Sequence, residues 1–328
     1  MINSLPGRRA LARNSLNITR RWRRYVPFAA ELVIVALLFA ALAVATPSLA
    51  APSVVATIKP VHSLAAAVMA GVAEPKLLLD GAASPHSYAL KPSDARALAG
   101  ADLVIRVSPH LEVFLDKALA SLPEKARVVD LDRASGLNLL APRASHGASS
   151  TAAPTPDEAD VHFWLDPVNA AALVREIARQ LSAVDPANAA RYDANATALE
   201  ARLSALDAEM RKTLAGLSAR PFVVFHDVTQ YLEHRYGLNS LGTVTPSPER
   251  APGAGSVAAL RDAIREKGAV CIFAEPQFSP RLIDMLVEGT HARRGILDEI
   301  GVRIEAGPEQ YFGMMRANAA SIADCLRP

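Results

Sequence analysis

From Ala189 to Leu217 the chain runs without a proline, and Tyr192, Leu199, Leu203, Leu206, Met210 and Leu214 recur at helical intervals. The spacing predicts one helix over 188–217, about 45 Å long at 1.5 Å per residue and interrupted only by Gly216 near its end. Such a rod is either an ordinary core helix or a rigid strut between two bodies. The strut reading requires two lobes with a cleft between them, and the flanking sequence has the pattern for it.

On both sides of the rod, short β-branched runs alternate with helical stretches. Before it come strands at Val54–Ile58, Lys76–Leu79, Leu103–Val107 and Val128–Leu131, with helices at Val61–Ala70, Pro92–Ala99 and Leu111–Leu119 between them. After it come strands at Phe222–Phe225, Leu241–Val244, Val270–Ala274 and Ile296–Leu297, helices at Val257–Lys267 and Arg281–Glu288, and a closing helix at Glu309–Leu326. This rhythm predicts an α/β fold of two lobes with mostly parallel, helix-covered sheets. The implied division is 51–187 for the N-terminal lobe, 188–217 for the linking helix and 218–328 for the C-terminal lobe. Residues 141–160, rich in Ala, Ser, Thr and Pro with little to bury, read as a flexible loop within the first lobe.

Residues 1–50 stand outside the fold. Seven arginines between Arg8 and Arg24 form a basic region, an apolar stretch follows from Leu32 to Val44, and Ser48-Leu49-Ala50 offers a small-residue cleavage pattern before Ala51. This is the build of a cleaved export signal, and the apolar run is short for a membrane span. Removing it takes seven bases and one acid, Glu31, from totals of 35 and 33, so the mature chain carries 28 bases against 32 acids, a net charge of −4. Nucleic acid is excluded as a partner on that balance, because such affinity needs clustered cations. The two cysteines, Cys271 and Cys325, lie in the exported part, where one bridge is their expected use.

Three histidines lie far apart, each beside an apolar segment: His86 in SPHSYALKPSD, His162 in VHFWLDP and His226 in VFHD. Asp298 in GILDEIG is a fourth candidate. Taken singly, each histidine is more often a core or loop residue. Gathered by the fold, three imidazoles and a carboxylate would make the nitrogen and oxygen set that tetrahedral zinc favours.

These segments, with Ile58-Lys59-Pro60-Val61-His62-Ser63 and FAEPQF, resemble the zinc-binding periplasmic solute-binding proteins of ABC importers (cluster A-I) over essentially the whole mature chain. The resemblance implies two α/β lobes joined by one long helix, with metal in the cleft. It implies His86, His162, His226 and Asp298 as ligands, the first two from one lobe and the last two from the other, with water or an upstream glutamate as the alternative in the fourth position. Manganese-selecting relatives usually carry a carboxylate where His226 stands, so three imidazoles favour Zn²⁺. Zinc is then cargo rather than cofactor, handed to an inner-membrane permease by a monomeric, non-enzymatic periplasmic receptor, with a periplasmic zinc chaperone as a further partner.

One departure stands out. Many zinc members carry a His-rich loop where residues 141–160 here hold only His146 with Asp157, Glu158 and Asp160, so capture should rest on the cleft alone. His62 and Glu275 read either as residues that orient the ligands or as structural ones. Trp164, Phe163 and Phe225 read as walls. Two other functions stay open: a manganese receptor or adhesin on the same fold, and an exported zinc hydrolase, which needs Asp298 uncoordinated and lacks an H-E-x-x-H arrangement.

Overall fold

The computed structural model describes residues 51–121, 126–143, 154–245, 248 and 253–328; the expected export signal and the centre of the 141–160 loop lie outside them. Residues 51–328 form one compact unit. In the first half, β1 (Val54–Ala56) leads into α1 (Lys59–Val68), then β2 (Lys76–Leu77), α2 (Pro92–Ala99) and β3 (Leu103–Arg106). A 3₁₀ turn at Val113–Leu115 runs into the short α3 (Asp116–Leu119), and β4 (Arg127–Asp130) closes the sheet. Two helices follow, α4 (Pro167–Val184) and α5 (Ala189–Thr213). The second half comprises β5 (Pro221–Val224), α6 (Gln230–Tyr236), β6 (Asn239–Thr243), α7 (Ala254–Lys267), β7 (Cys271–Ala274), α8 (Arg281–Val287), β8 (Arg293–Ile296) and α9 (Gln310–Leu326).

The two sheets repeat one topology. Their strand orders are β2-β1-β3-β4 and β6-β5-β7-β8, and every pair is parallel. In each, the first strand has neighbours on both sides that the chain reaches by opposite routes. The crevice beyond the carboxyl ends of such strands is where open α/β sheets bind ligands.

Strand pleat divides the apolar residues between layers. Val54, Ala56, Leu103 and Ile105 face the main core, as do Phe222, Val224, Cys271 and Phe273 from the other sheet. That core is continuous from one sheet to the other, and α1, α4, α5 and α9 fill it. The alternate residues turn outward: Val55 and Val104 meet Leu98 of α2, while Val223 and Ile272 meet Ile264 of α7 with Ile283 and Leu286 of α8.

Helix α5 buries Tyr192, Ala196, Leu199, Leu203, Leu206 and Met210 on one face, alternating steps of three and four. Each of its leucines and Met210 contributes roughly 1.5–3 kcal/mol over an exposed side chain. Charged residues flank this face and pair with α9. Arg202 pairs with Glu309 at 2.7 Å and lies over the Phe312 ring at 4.2 Å, and Glu209 pairs with Arg316 at 2.9 Å. The helix stops at Thr213, four residues short of the pattern, because Gly216 turns the backbone to φ 78°.

Three other expectations shift. The expected helix 111–119 begins late and as a 3₁₀ turn at Val113–Leu115 before the four-residue α3, because buried Glu112 turns back to accept from the backbone N–H groups of Val107 (3.0 Å) and Ser108 (2.9 Å). Helix α4, unassigned from sequence, is capped by Asp166, which accepts from Val168 N at 2.8 Å, and carries a buried stripe of Ala170, Leu173, Val174, Ile177 and Leu181. The loop 141–160 is ordered at its far end, where Pro156–Glu158 forms a 3₁₀ turn and Asp160 N donates to Leu140 O at 2.8 Å.

Cys271 of β7 and Cys325 of α9 form the expected disulfide, with Cα atoms 6.0 Å apart. Gly295 on β8 pairs with Phe273; a methyl there would collide with the Phe273 ring and approach Cys325 Sγ to 3.3 Å. The bridge thus fastens the closing helix to the sheet that carries half of the site. Replacing both cysteines with alanine is expected to lower the unfolding free energy of the metal-free protein by about 3–4 kcal/mol in the chain-entropy model. Urea denaturation measures this directly, and an unchanged midpoint in the variant would show that the bridge adds nothing.

Candidate metal centre

His226 follows β5 and Glu275 follows β7, so both stand at the carboxyl edge of the second sheet. Asp298 and Glu299 reach the same edge from β8. From the first half, His86 arrives in the turn after β2, and His162 starts the 3₁₀ turn Phe163–Leu165 ahead of α4. His162 and His226 are buried, and His86 is half-buried.

The three rings converge through their Nε2 atoms. His162 Nε2 lies 3.3 Å from His86 Nε2 and 3.4 Å from His226 Nε2. A tetrahedral zinc with nitrogen ligands at about 2.0–2.1 Å would hold those nitrogens about 3.3–3.4 Å apart. The spacing therefore suits one ion at the centre of the three.

Carboxylates set the tautomer. His162 Nδ1 donates to Asp160 Oδ1 at 2.8 Å, and the same oxygen takes the His162 backbone N–H at 2.9 Å. His226 Nδ1 lies 2.8 and 2.7 Å from the two oxygens of Glu275, whose Oε1 also accepts the His226 backbone N–H at 3.2 Å. Holding the proton on Nδ1 leaves the Nε2 lone pair directed at the centre and makes it more basic. Asp160 is itself held, because Tyr231 Oη donates to its carbonyl at 2.8 Å.

Burial disfavours charge on His86, Glu275 and Glu299. Desolvation, then the charges that His162 and His226 would carry, push His86 down to about 2. Desolvation raises Glu275 to about 8 against the hydrogen bond from the His226 backbone. Glu299 rises to about 7, from desolvation first and the Glu275 charge second.

The remaining candidates take different places. Asp298 lies outside the group of three rings; Asn318 Oδ1 accepts from its backbone N–H at 2.9 Å, and its Oδ1 is buried with no hydrogen-bond partner among the described residues. His62 Nε2 donates to Pro75 O at 2.9 Å, and the ring also lies outside the group. Trp164 walls the site, its ring 5.4 Å from that of His162 and its Nε1 donating to Glu299 O at 2.9 Å. Phe163 packs edge-on to Trp164, while Phe225 stacks on Phe278 at 4.8 Å. Phe278 turns its edge towards His226, a wall that the sequence did not single out. His110 is exposed beside Asp157, and His146 lies outside the described residues.

The sequence reading also passed over Asp160 and Glu299 as site residues. Asp160 precedes His162 by two positions, and that D-x-H spacing is the one signal that could have marked it. A second group, His226 with Glu275 and Glu299, has ligand atoms within 4.8 Å of one another, all buried.

A model of the zinc-uptake complex component A family, periplasmic (ZnuA), matches residues 54–325. The chain belongs to this family. Its members are solute-binding transport components of the periplasm rather than enzymes. A high-affinity zinc uptake system protein ZnuA from Brucella abortus is 41% identical over 304 residues, covering 83% of this chain and 91% of the relative. One from Yersinia pestis is 34% identical over 308 residues, covering 89% and 97%. A crystal structure of ZnuA shares the fold at TM-score 0.72 and 24% identity, covering 84% of this chain and all of its own. The laminin binding protein of Streptococcus agalactiae, described as an adhesin with metal transporting activity, superposes at TM-score 0.71 with 25% identity, covering 84% and 99%.

Two outcomes are expected from this geometry. Asp160→Asn and Glu275→Gln should each weaken zinc binding about 10–100-fold, because each frees a ring that the carboxylate now orients; competition with a chelator measures it, and unaltered affinity in both would refute the orienting role. The second concerns acid stability. An unfolded histidine takes up a proton as pH falls through about 6.5, whereas folded His86 refuses it, so stability is present above that value and drains away below it. Without metal, His86→Gln should lose less stability than the parent between about pH 6.5 and 4.5. The difference should stay below about 1.4 kcal/mol per pH unit, since the ring edge reaches solvent. Parallel urea-denaturation profiles for the two proteins would exclude His86 as a source of acid lability.

Proposed function

We propose that this chain captures Zn²⁺ in the periplasm through Nε2 of His86, His162 and His226 and delivers it to the permease of a zinc ABC importer. The observation that carries this reading is the 3.3 and 3.4 Å spacing of three Nε2 atoms, with the outer nitrogens of His162 and His226 facing carboxylates. Three imidazoles form a borderline-soft set that suits zinc better than a harder ion. We assign the fourth position to an oxygen, with Asp298 as candidate because its Oδ1 is buried without a partner among the described residues.

Export by a signal cleaved before Ala51 fits the start of the compact unit at that residue. We read the receptor as monomeric, divided at 187 and 217 as the sequence pattern suggests, and able to take zinc from a periplasmic chaperone. The 141–160 segment contributes Asp160 to the site but no cluster of histidines, so its centre is not a second zinc trap.

Calorimetric titration of the metal-free exported chain tests the reading. One zinc equivalent is expected, with affinity reduced by orders of magnitude in His162→Ala and nearly unchanged after deletion of residues 144–153. Parental affinity in His162→Ala would sink the ligand assignment. A second micromolar equivalent lost with the deletion would sink the account of the loop.

A further inference from the structure

The segment Leu140–Arg143 bonds to both of the buried ligand-bearing stretches. On one side it meets the stretch that leads to His162, where Leu140 O accepts from Asp160 N at 2.8 Å. On the other it meets the residues that follow His226. Gln230 Nε2 donates to Ala141 O at 2.7 Å, and Leu140 N donates to Tyr231 Oη at 3.1 Å. Arg143 completes this side: its Nη2 lies 2.7 Å from Glu233 Oε2 and its Nε 3.5 Å from Asp227 Oδ1. Glu233 is fixed in turn, because Thr229 Oγ1 donates to its Oε1 at 2.5 Å. Neither Arg143 nor these two acids belongs to the group of three rings. Charge makes the contact more than a brace. The guanidinium acts on Glu233, Asp227 and Asp160 together, and the three acids also act on one another. Like charges crowded in a partly desolvated place repel, so without the guanidinium this boundary turns from attractive to repulsive.

We propose that Arg143 is a positioning residue for zinc retention, one that holds the His162 stretch against the residues after His226 so that bound zinc leaves slowly. The inference rests on the zinc reading above. An ion held by rings from both stretches is lost when the stretches part, and parting them must break the Arg143–Glu233 pair. That pair is partly buried, with the arginine side chain 31% and the glutamate side chain 12% exposed. Truncating one member of a desolvated, hydrogen-bonded charge pair acts mainly on dissociation. Arg143 therefore sets how long zinc stays, while the three rings set whether it binds.

Rapid mixing of the zinc-loaded exported chain with an excess of a chromophoric chelator reads the release rate. Arg143→Ala is expected to release zinc at least about tenfold faster, with no fall in the association rate. Adding Glu233→Gln to that variant removes one of the stranded negative charges and should restore part of the lost retention, which a mere loss of packing would not do. Arg143→Lys, which keeps the charge but cannot span both carboxylates, should fall between parent and Arg143→Ala. A parent chain that takes up no zinc sinks the functional reading and this inference with it. A zinc-binding parent whose Arg143→Ala variant keeps the circular dichroism spectrum and releases zinc at the parental rate overturns this inference alone. So does an Arg143→Ala/Glu233→Gln variant that releases zinc no more slowly than Arg143→Ala. Should Arg143→Ala fail to fold, parental release from Arg143→Lys is the overturning result.

Discussion

Everything at the centre of this protein depends on two carboxylate–imidazole hydrogen bonds. Asp160 and Glu275 each hold an Nδ1 proton, and each also takes the backbone N–H of the histidine it serves. A ring held at both backbone and side chain cannot rotate freely, so its Nε2 lone pair is aimed before any metal arrives. Burial beside two other rings keeps His86 neutral, the form in which an imidazole binds zinc. The cost of burying the supporting acids falls on Glu275, which burial pushes up to about 8.

The scaffold makes those two bonds possible by repeating one parallel four-stranded topology twice and turning both carboxyl edges towards the same crevice. Polar contacts then cross between the halves at buried points. Lys59 of α1 donates to the carbonyls of Val302 and Ile304 at 3.0 Å. Tyr311 Oη donates to Trp164 O at 2.7 Å, and Tyr231 Oη to Asp160 O at 2.8 Å. The shared core under α1, α4, α5 and α9 backs them, so the metal cluster sits on a preformed floor rather than on two loosely tethered bodies.

Much of this was legible in the chain. The βα alternation showed seven strands within a residue or two of their bounds, since short β-branched runs between helices have little else to become, but the eighth, expected at Ile296–Leu297, begins three residues earlier at Arg293. The helix at 189–213 was plain from its apolar period, although its end was not, because Gly216 was read as an interruption instead of a stop. Helix α4 shows an equally clean stripe, and it went unassigned beside the longer rod. The bend after β3 was hidden because it comes from Glu112 bonding backward to Val107 and Ser108, a choice made by burial and not by local propensity. Among the site residues, His86, His162 and His226 stand in distinctive apolar contexts. Asp160 was lost in a stretch that reads as loop.

By itself, the sequence determined the secondary-structure rhythm, the placing of the cysteines in an exported segment and the identity of the groups able to hold a metal. Those are properties of residue type and spacing, which act over a few positions. Only the tertiary structure decided which groups meet. It set His162 within 3.4 Å of His226 and His86, left Asp298 outside that cluster, and turned His62 to Pro75. Separations of 64 and 76 residues carry no local signal, so that distance is settled by how two sheets pack on one core.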